Sequence, residues 1–534
     1  MRRFHLVLEP SGLRVLVDSN TLYLDAIRES GLHIPSECGG KGTCGKCKVR
    51  FQPEPSSTSL ERGVLTAKEM DAGIRLACQH TVDCDSRVLL PQSISDVRIL
   101  TEGIAAAPLE VEPRLEGQVG AAIDIGTTTL VAYLMDLHTG EQVGSASMVN
   151  PQIEYGEDII TRLNAAVDSP KAQHNLQKLI VHAIEELCLR LCEDAGIDSS
   201  ALSHLAAVGN TVMHHLFLGL DVSSLSVTPY VPARTSSQTT PAHELGFTRI
   251  STEIYTAPLI AGFVGSDITA LILSQKLYES DEVVLAIDIG TNGEIVLAQH
   301  GSLHTCSTAA GSAFEGATIS SGMRGQMGAV EHFSITDPDS MPDITVIGQT
   351  TPRGICGSGI VDIVASLLQA EILTPNGRLH KSQRMVDDDS IGRAYVVVSQ
   401  GELGAGEQIL FTQKDVRQVQ VAKAAIQAGT QVLMKHVGIQ NGDLDRVIVA
   451  GAFGNYISPE SAMDIGLLPR VSRSRVLQAG NTAGIGAKMM LMSSKMRSLV
   501  EQIAVSVEHI QLSGNPDFQQ LFLDSTALGG ETQH

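Results

Sequence analysis

Residues 122–136 read AIDIGTTTLVAYLMD and residues 286–301 read AIDIGTNGEIVLAQHG, so one six-residue string stands twice in the chain, 164 residues apart. Each copy is an apolar run of strand character that meets an Asp, then a tight turn rich in Gly and Thr, then a second apolar run. Such a turn presents backbone N–H groups and hydroxyls to an anion, and Gly126 and Gly290 allow the anion to approach closely. The spacing is that of a lobe, which predicts a duplicated domain with one hairpin heading each half. Set face to face, the hairpins would clamp a triphosphate, with Asp124 and Asp288 placed for hydrated Mg²⁺ and for orienting an attacking water. An Asp that only stabilises its own turn is the plain alternative for one copy, and repetition argues against it for two.

The pattern resembles the superfamily of acetate and sugar kinases, heat-shock ATPases and actin. That resemblance implies an α/β ATPase of two ribonuclease-H-like lobes, residues 119–280 and 281–534, with a C-terminal return to the first lobe. It assigns Gly126, Thr127 and Thr128, together with Gly290, Thr291 and Asn292, to the phosphates of ATP and to Mg²⁺. It also implies an adenosine-contacting segment after a late strand, and DRVIVAGAFGNYI (445–457) supplies Gly451, Ala452, Phe453 and Gly454 there. Small-residue helices crossing between lobes are expected at 260–273 and 481–491. In VGNTVMHHL (208–216), Asn210 and Thr211 are candidates for phosphate or water contacts, whereas adjacent His214 and His215 point apart on a helix and suit a core role. Cys188 and Cys192 fit a buried helical stripe, and RGICGSG (353–359) fits a glycine turn opening a packed helix. The stretch 307–330, almost all small and hydroxylated, reads either as a mobile loop beside the second lobe or as rigid cleft lining.

Upstream, four of the nine cysteines are Cys38, Cys44, Cys47 and Cys78, the first three in CGGKGTCGKC (38–47). Glycine-softened, closely spaced thiolates with a fourth from later in the chain can wrap a small iron–sulfur unit. The spacing is similar to that of vertebrate and bacterial ferredoxins with a five-residue first gap, which implies a [2Fe–2S] cluster in a ubiquitin-like (β-grasp) domain over residues 1–91. A hairpin at 4–17, a short helix at 21–31 and a strand at 47–51 fit that order. A structural zinc site is the alternative, although only Cys44 and Cys47 form a CxxC knuckle. Cys84 could stand in as a ligand.

With 38 Lys+Arg against 59 Asp+Glu, the 534-residue chain carries a formal charge of −21, which argues against nucleic-acid or anionic-membrane partners. Residues 1–91 are near +1, and Lys41, Lys46, Lys48 and Arg50 crowd the cysteine loop. They form either a dock for an acidic electron partner or an ordinary solvated face. The apolar run behind Met1-Arg2-Arg3 is too short for export, so a cytoplasmic location is expected. Residues 92–118, with Pro108 and Pro113 and little periodicity, read as a tether.

A one-electron cluster joined to an ATP clamp makes sense where electron transfer must go uphill. A deficit of ~100 mV for one electron is ~2.3 kcal/mol, within reach of conformational coupling to ATP. Cluster, tether and lobe motifs together resemble the reductive activators of corrinoid-dependent enzymes. The resemblance implies ATP-dependent reduction of inactive Co(II) to Co(I) on a partner corrinoid protein, an external low-potential electron donor, and a homodimer. In longer members a small domain separates tether and lobes, whereas here AIDIGT follows the tether at once. A branch with C-terminal [4Fe–4S] clusters is excluded, because no cysteine follows Cys356. Two alternatives stay open: an ATP-driven donor to a dehydratase or ring reductase, sharing a [4Fe–4S] cluster through Cys306 and Cys356, and a non-catalytic nucleotide-binding redox sensor.

Overall fold

The computed structural model describes residues 2–9, 13–30, 34, 36, 38–90, 102–338, 340–388 and 391–529. They divide into two compact units, one of Met1–Asp96 with Pro151–Leu179 and one of Val97–Asn150 with Ile180–His534.

In the first unit, β1 (Arg3–Glu9) and β2 (Leu13–Asp18) form the expected hairpin, followed by a helix at Tyr23–Glu29. Then come β3 (Lys48–Gln52), β4 (Ile74–Leu76) and β5 (Ser86–Leu89), giving one sheet of order β2-β1-β5-β3-β4. Only β1 and β5 pair in parallel. Leu24 and Ile27 of the helix pack on Leu6, Leu8, Val49 and Val88 from the inner face of the sheet, as alternation along these strands requires. This is the β-grasp arrangement, and the cysteine loop spans the gap between the helix and β3. Although Pro151–Leu179 lies within the range expected for the first lobe, it joins this unit, and the Tyr155 carbonyl lies 2.7 Å from where a Cβ on Gly39 would sit.

The second unit holds two six-stranded sheets. In the first, β6 (Val119–Ile125), β7 (Thr129–Asp136) and β8 (Gln142–Val149) run antiparallel, and β9 (Leu202–Gly209) then pairs in parallel with β6. Beyond β9 lie β11 (Glu253–Thr256) and β10 (Gln238–Pro241). The second sheet repeats the plan with β12 (Val283–Ile289), β13 (Gly293–Gln299) and β14 (Ser302–Thr308), and the strand Arg446–Ala450 takes the place of β9. The Asp of each AIDIGT string therefore stands near the end of the first strand of its sheet, flanked by an antiparallel hairpin partner and a parallel neighbour. Two small three-stranded sheets elaborate the second half.

The helices expected to cross do so at Ser266–Ser274 and Thr482–Met492, packed against each other and against β9. A Cβ on Gly486 would sit 2.5 Å from the Cβ of Ala270, so the approach tolerates no side chain there. The helix Ser494–Ser506 follows onto Ser266–Ser274, bringing the C-terminal part of the chain back to the first sheet.

Residues 102–118 differ from the expected tether; residues 92–101 of that stretch lie outside the described ones. Ile104 N–H donates to the Ala479 carbonyl, and Asn481 N–H donates to that of Glu102. The Glu112 carboxylate accepts from Ser493 Oγ and from the backbone N–H of Ser494 and Lys495, which open the helix Ser494–Ser506. Those donors hold its pKa down at about 2. Low periodicity and proline do mark extended chain, but this extended chain is laid down on the second unit.

Candidate functional site

The cysteine loop and the cleft between the two hairpins are candidate sites, each resolved within one unit. In the loop, Gly39, Gly40, Gly42 and Gly45 all have positive φ, and the chain winds so that its N–H groups face sulfur. Cys38 accepts from the N–H groups of Thr43 and Cys44, Cys44 from that of Lys46, and Cys78 from that of Gly42 and from Gln79 Nε2 at 3.4 Å. The thiols form two hydrogen-bonded pairs, Cys38 with Cys44 and Cys47 with Cys78. Within each pair the shared proton sets the direction: Cys38 falls to about 4 and Cys78 to about 7, while Cys44 and Cys47 rise.

This pairing separates two metals. Tetrahedral zinc at ~2.3 Å from each sulfur needs all four sulfurs within about 3.8 Å of one another. Among the described residues the only group of three or more His, Cys, Asp or Glu ligand atoms all within 4.8 Å is His304, His436 and Glu508; no three of these sulfurs qualify. Two thiol pairs set apart suit two irons bridged by sulfide, so the residues fit a [2Fe–2S] group. Cys84 takes no part; its sulfur faces Ser86 Oγ at 3.5 Å.

The cleft is lined by Asp124, Gly126, Thr127, Thr128, Asn210, Asp288, Gly290, Thr291, Asn292, Gly451 and Phe453, as anticipated. Asn150 fixes the first turn, donating from Nδ2 to the Gly126 carbonyl (2.9 Å) and from its N–H to that of Thr128 (2.9 Å). The second turn closes on itself through Gly290 N–H to the Asn292 carbonyl. Asn210 caps the helix Thr211–Leu218 and donates to Thr127 Oγ1 at 2.9 Å. Two expected residues fall elsewhere. Gly454 does not line the cavity, since a short helix starts at Gly451, turning Gly454 onto Val449 of the strand behind it, and the side chain of Ala452 lies outside the described ones. Thr211 is buried and bonded to the Ala261 carbonyl. His214 and His215 are core residues, as expected.

Several cleft residues were not anticipated. Asn481, the cap of the crossing helix, donates from Nδ2 to Asp124 Oδ2 at 2.8 Å. Asp267 and Glu294 join Asp124 and Asp288 on the floor. Burial raises all four: Asp124 to about 6, partly offset by Asn481, and Asp288 to about 7, with Asp124 adding to the rise. Asp267 reaches about 8 through burial and its two Asp neighbours, and Glu294 is pushed well above its usual range. The four offer hard oxygen ligands, but among the described residues no three of them bring oxygens within 4.8 Å of one another, so a divalent cation such as Mg²⁺ would take one or two directly and keep water on its other faces. Glu315 spans the turns: Thr128 Oγ1 donates to its Oε2 at 2.9 Å and Thr291 Oγ1 to its Oε1 at 2.6 Å. The signal for Glu315 was available, because it is the only acid in 307–330. That stretch is the folded lining rather than a mobile loop, with Ala310, Ala313, Phe314 and Ile319 buried. Cys306 is fully buried against the Gly429 carbonyl and Cys356 is buried against that of Val330, which leaves neither at the surface to share a cluster.

Comparison with known proteins assigns each site to a matched domain. Family profiles match residues 6–83 as a 2Fe-2S iron-sulfur cluster binding domain, 119–280 as the RACo middle region, and 282–534 as the C-terminal domain of RACo, the ASKHA domain. The middle region thus coincides with the range read as the first lobe. The corrinoid activation enzyme RamQ of Eubacterium limosum is 32% identical over 585 aligned positions, covering 96% of this chain and 97% of the relative. A [Co(II) methylated amine-specific corrinoid protein] reductase of Methanosarcina barkeri is 25% identical over 76% of each chain. The solved structure of a reductive activator for corrinoid,iron-sulfur protein superposes with a TM-score of 0.71 at 29% identity, covering 99% of both chains. No helix among the described residues is long and apolar enough to cross a membrane.

Proposed function

The chain belongs to the family of reductive activators of corrinoid proteins, and we propose that it spends ATP to reduce the Co(II) centre of a partner corrinoid protein to Co(I). The observation that carries this reading is one chain holding both a four-thiol loop fitted to two irons and an acid-floored cleft between two identical turns. When bound, the [2Fe–2S] group supplies the one-electron donor. Cys38, Cys44, Cys47 and Cys78 hold it, and the N–H groups turned toward their sulfurs tune its potential.

In the cleft, the turn N–H groups, the hydroxyls of Thr127, Thr128 and Thr291, and the Asn292 amide bind the phosphates, while Gly126 and Gly290 admit them closely. Asp124 and Asp288 would hold hydrated Mg²⁺, which would neutralise phosphate charge, and would orient the attacking water. Gly451 and Phe453 border the adenosine. Asn210 and Asn481 act one step back, fixing Thr127 and Asp124. An external low-potential donor recharges the chain between turnovers.

The test mixes cluster-loaded protein, a strong reductant and a Co(II) corrinoid protein, and follows the Co(I) absorption band. The band grows with MgATP and not without it. ATP hydrolysis with no Co(I) formed would point instead to another low-potential acceptor. Full function in Asp124→Ala would point to a nucleotide sensor.

A further inference from the structure

We propose that Glu315 is a latch across the phosphate site, which the triphosphate must displace, and that the adjoining Phe314 carries this displacement to the adenosine end of the cleft. The proposal rests on the reading of the cleft as an ATP site. A threonine hydroxyl has one proton, and in both turns that proton is directed at Glu315: from Thr128 at 2.9 Å and from Thr291 at 2.6 Å. One carboxylate therefore ties the hairpin of the first sheet to that of the second, using the donors that phosphate oxygens require. Glu315 and the phosphates are both anionic, so their joint presence between the same hydroxyls is repulsive. Binding of the triphosphate withdraws the carboxylate.

The neighbouring residue makes the withdrawal consequential. Phe314 is buried, and its ring stacks on Phe453 with centroids 5.4 Å apart and planes at 15°. A Cβ on Gly357 would lie 1.9 Å from the Phe314 carbonyl and 2.3 Å from Cε2 of Phe453, so both residues rest on one bare stretch of backbone. Glu315 shares a peptide bond and a tight turn with Phe314, Glu315 N–H donating to Ser312 O, so a withdrawal that carries its backbone along pulls on this stack. Nucleotide occupancy is thereby read out in the 309–328 stretch and at Gly451–Tyr456.

Two readouts on full-length, cluster-loaded protein test the latch, with cluster absorbance and unfolding midpoint confirming the fold. In calorimetric titration with Mg²⁺ and the β,γ-imido analogue of ATP, Glu315→Ala binds about tenfold or more tightly than wild type, because a competing charge is gone. Weaker or equal binding overturns the proposal; weaker binding would make Glu315 a cation ligand. In hydrogen exchange without nucleotide, amides of 309–328 and 451–456 exchange faster in Glu315→Ala, approaching the nucleotide-bound wild type. Unchanged protection overturns the latch. Glu315→Gln, which keeps shape and one acceptor oxygen, falls between in both readouts and replaces the Ala variant if that misfolds. Should wild type bind no adenine nucleotide, the ATP reading fails, while the exchange comparison still decides the latch.

Discussion

The two hairpins begin with the same six residues and end in different company. Asp124 is gripped by the Asn481 amide from a helix cap more than 350 residues downstream, and its turn is braced by Asn150 and Asn210. No matching amide reaches Asp288 among the described residues, and its turn is held by its own Gly290–Asn292 bond and by the Thr291 hydroxyl on Glu315. The pKa values follow: about 6 for the gripped Asp, about 7 for the other, which also feels the charge of the first. Duplication thus supplied two equal carboxylates, and remote residues made them unequal. The gripped one suits a fixed cation ligand; the other, nearer to neutral pH, suits exchange of a proton with water.

The largest expected effect tests that division of labour. Asp288→Ala and Asp124→Ala should each lower MgATP-dependent Co(I) formation by about 10²–10³-fold while leaving the cluster spectrum untouched, as loss of one aimed charge does elsewhere. The two should differ in kind: Asp124→Ala should weaken Mg²⁺ binding, measured by Mg²⁺ dependence of the rate, and Asp288→Ala should lower the maximal rate. Identical profiles would dissolve the comparison.

The pH dependence of stability comes next. The floor carboxyls titrate higher in the folded than in the unfolded chain, so between about pH 4 and about pH 8 the folded state holds protons that the unfolded state has lost. Their contribution is full below the unfolded values and is lost as pH rises through the folded ones. At a unit of pKa per ~1.4 kcal/mol, coupled carboxyls of this kind cost a few kcal/mol on ionising. The unfolding midpoint should therefore drop from pH 6 to pH 8.5 without Mg²⁺, and Mg²⁺ should restore more at the higher pH. Asp267→Asn should flatten the upper part of that fall, toward pH 8, and Asp288→Asn the lower part, toward pH 7.

How much of this was legible in the chain follows from where each residue comes from. The two turns and the four thiols were readable because their partners are a few positions away, where spacing records geometry. Asn481, Asp267 and Glu315 arrive from other elements, and a lone Asn before a small-residue helix carries no mark of the Asp it will meet; Glu294 lies within the second hairpin itself, opposite Asp288, where it reads as a plain strand residue. Glu315 came nearest to visibility, as one acid in a stretch otherwise free of them. The course of 102–118 was hidden for a different reason: it docks through backbone hydrogen bonds, such as Ile104 to Ala479, which leave no trace in side-chain pattern. Gly454 was misjudged because a glycine beside the cleft and one turned onto Val449 look alike in sequence.

Asn481 offers a finer cut through the comparison. Its side chain does two tasks, donating to Asp124 and accepting from Gly484 N–H as the helix cap. Asn481→Asp keeps the cap and replaces the donor by a like charge, whereas Asn481→Ala removes both. A charged-group hydrogen bond of ~1.5–3 kcal/mol predicts roughly ten- to hundredfold loss of MgATP-dependent activity in Asn481→Ala, with Asn481→Asp at least as poor despite its better stability. If Asn481→Asp retained activity, the grip on Asp124 would be irrelevant and the hairpins functionally equal.

The smallest effect is expected at Asn210, which touches Thr127 rather than an acid. Asn210→Ala loses a helix cap, about 1 kcal/mol of stability, and frees the Thr127 hydroxyl to rotate. The phosphate contact survives with less order, so the KM for ATP should rise several-fold with the maximal rate nearly unchanged. Asn210→Ser, which can still cap, should recover the stability but not the KM, because its shorter side chain falls short of Thr127. A fall in maximal rate instead would place Asn210 against the reacting phosphate, and the first hairpin would then carry more of the chemistry than its fixed Asp implies.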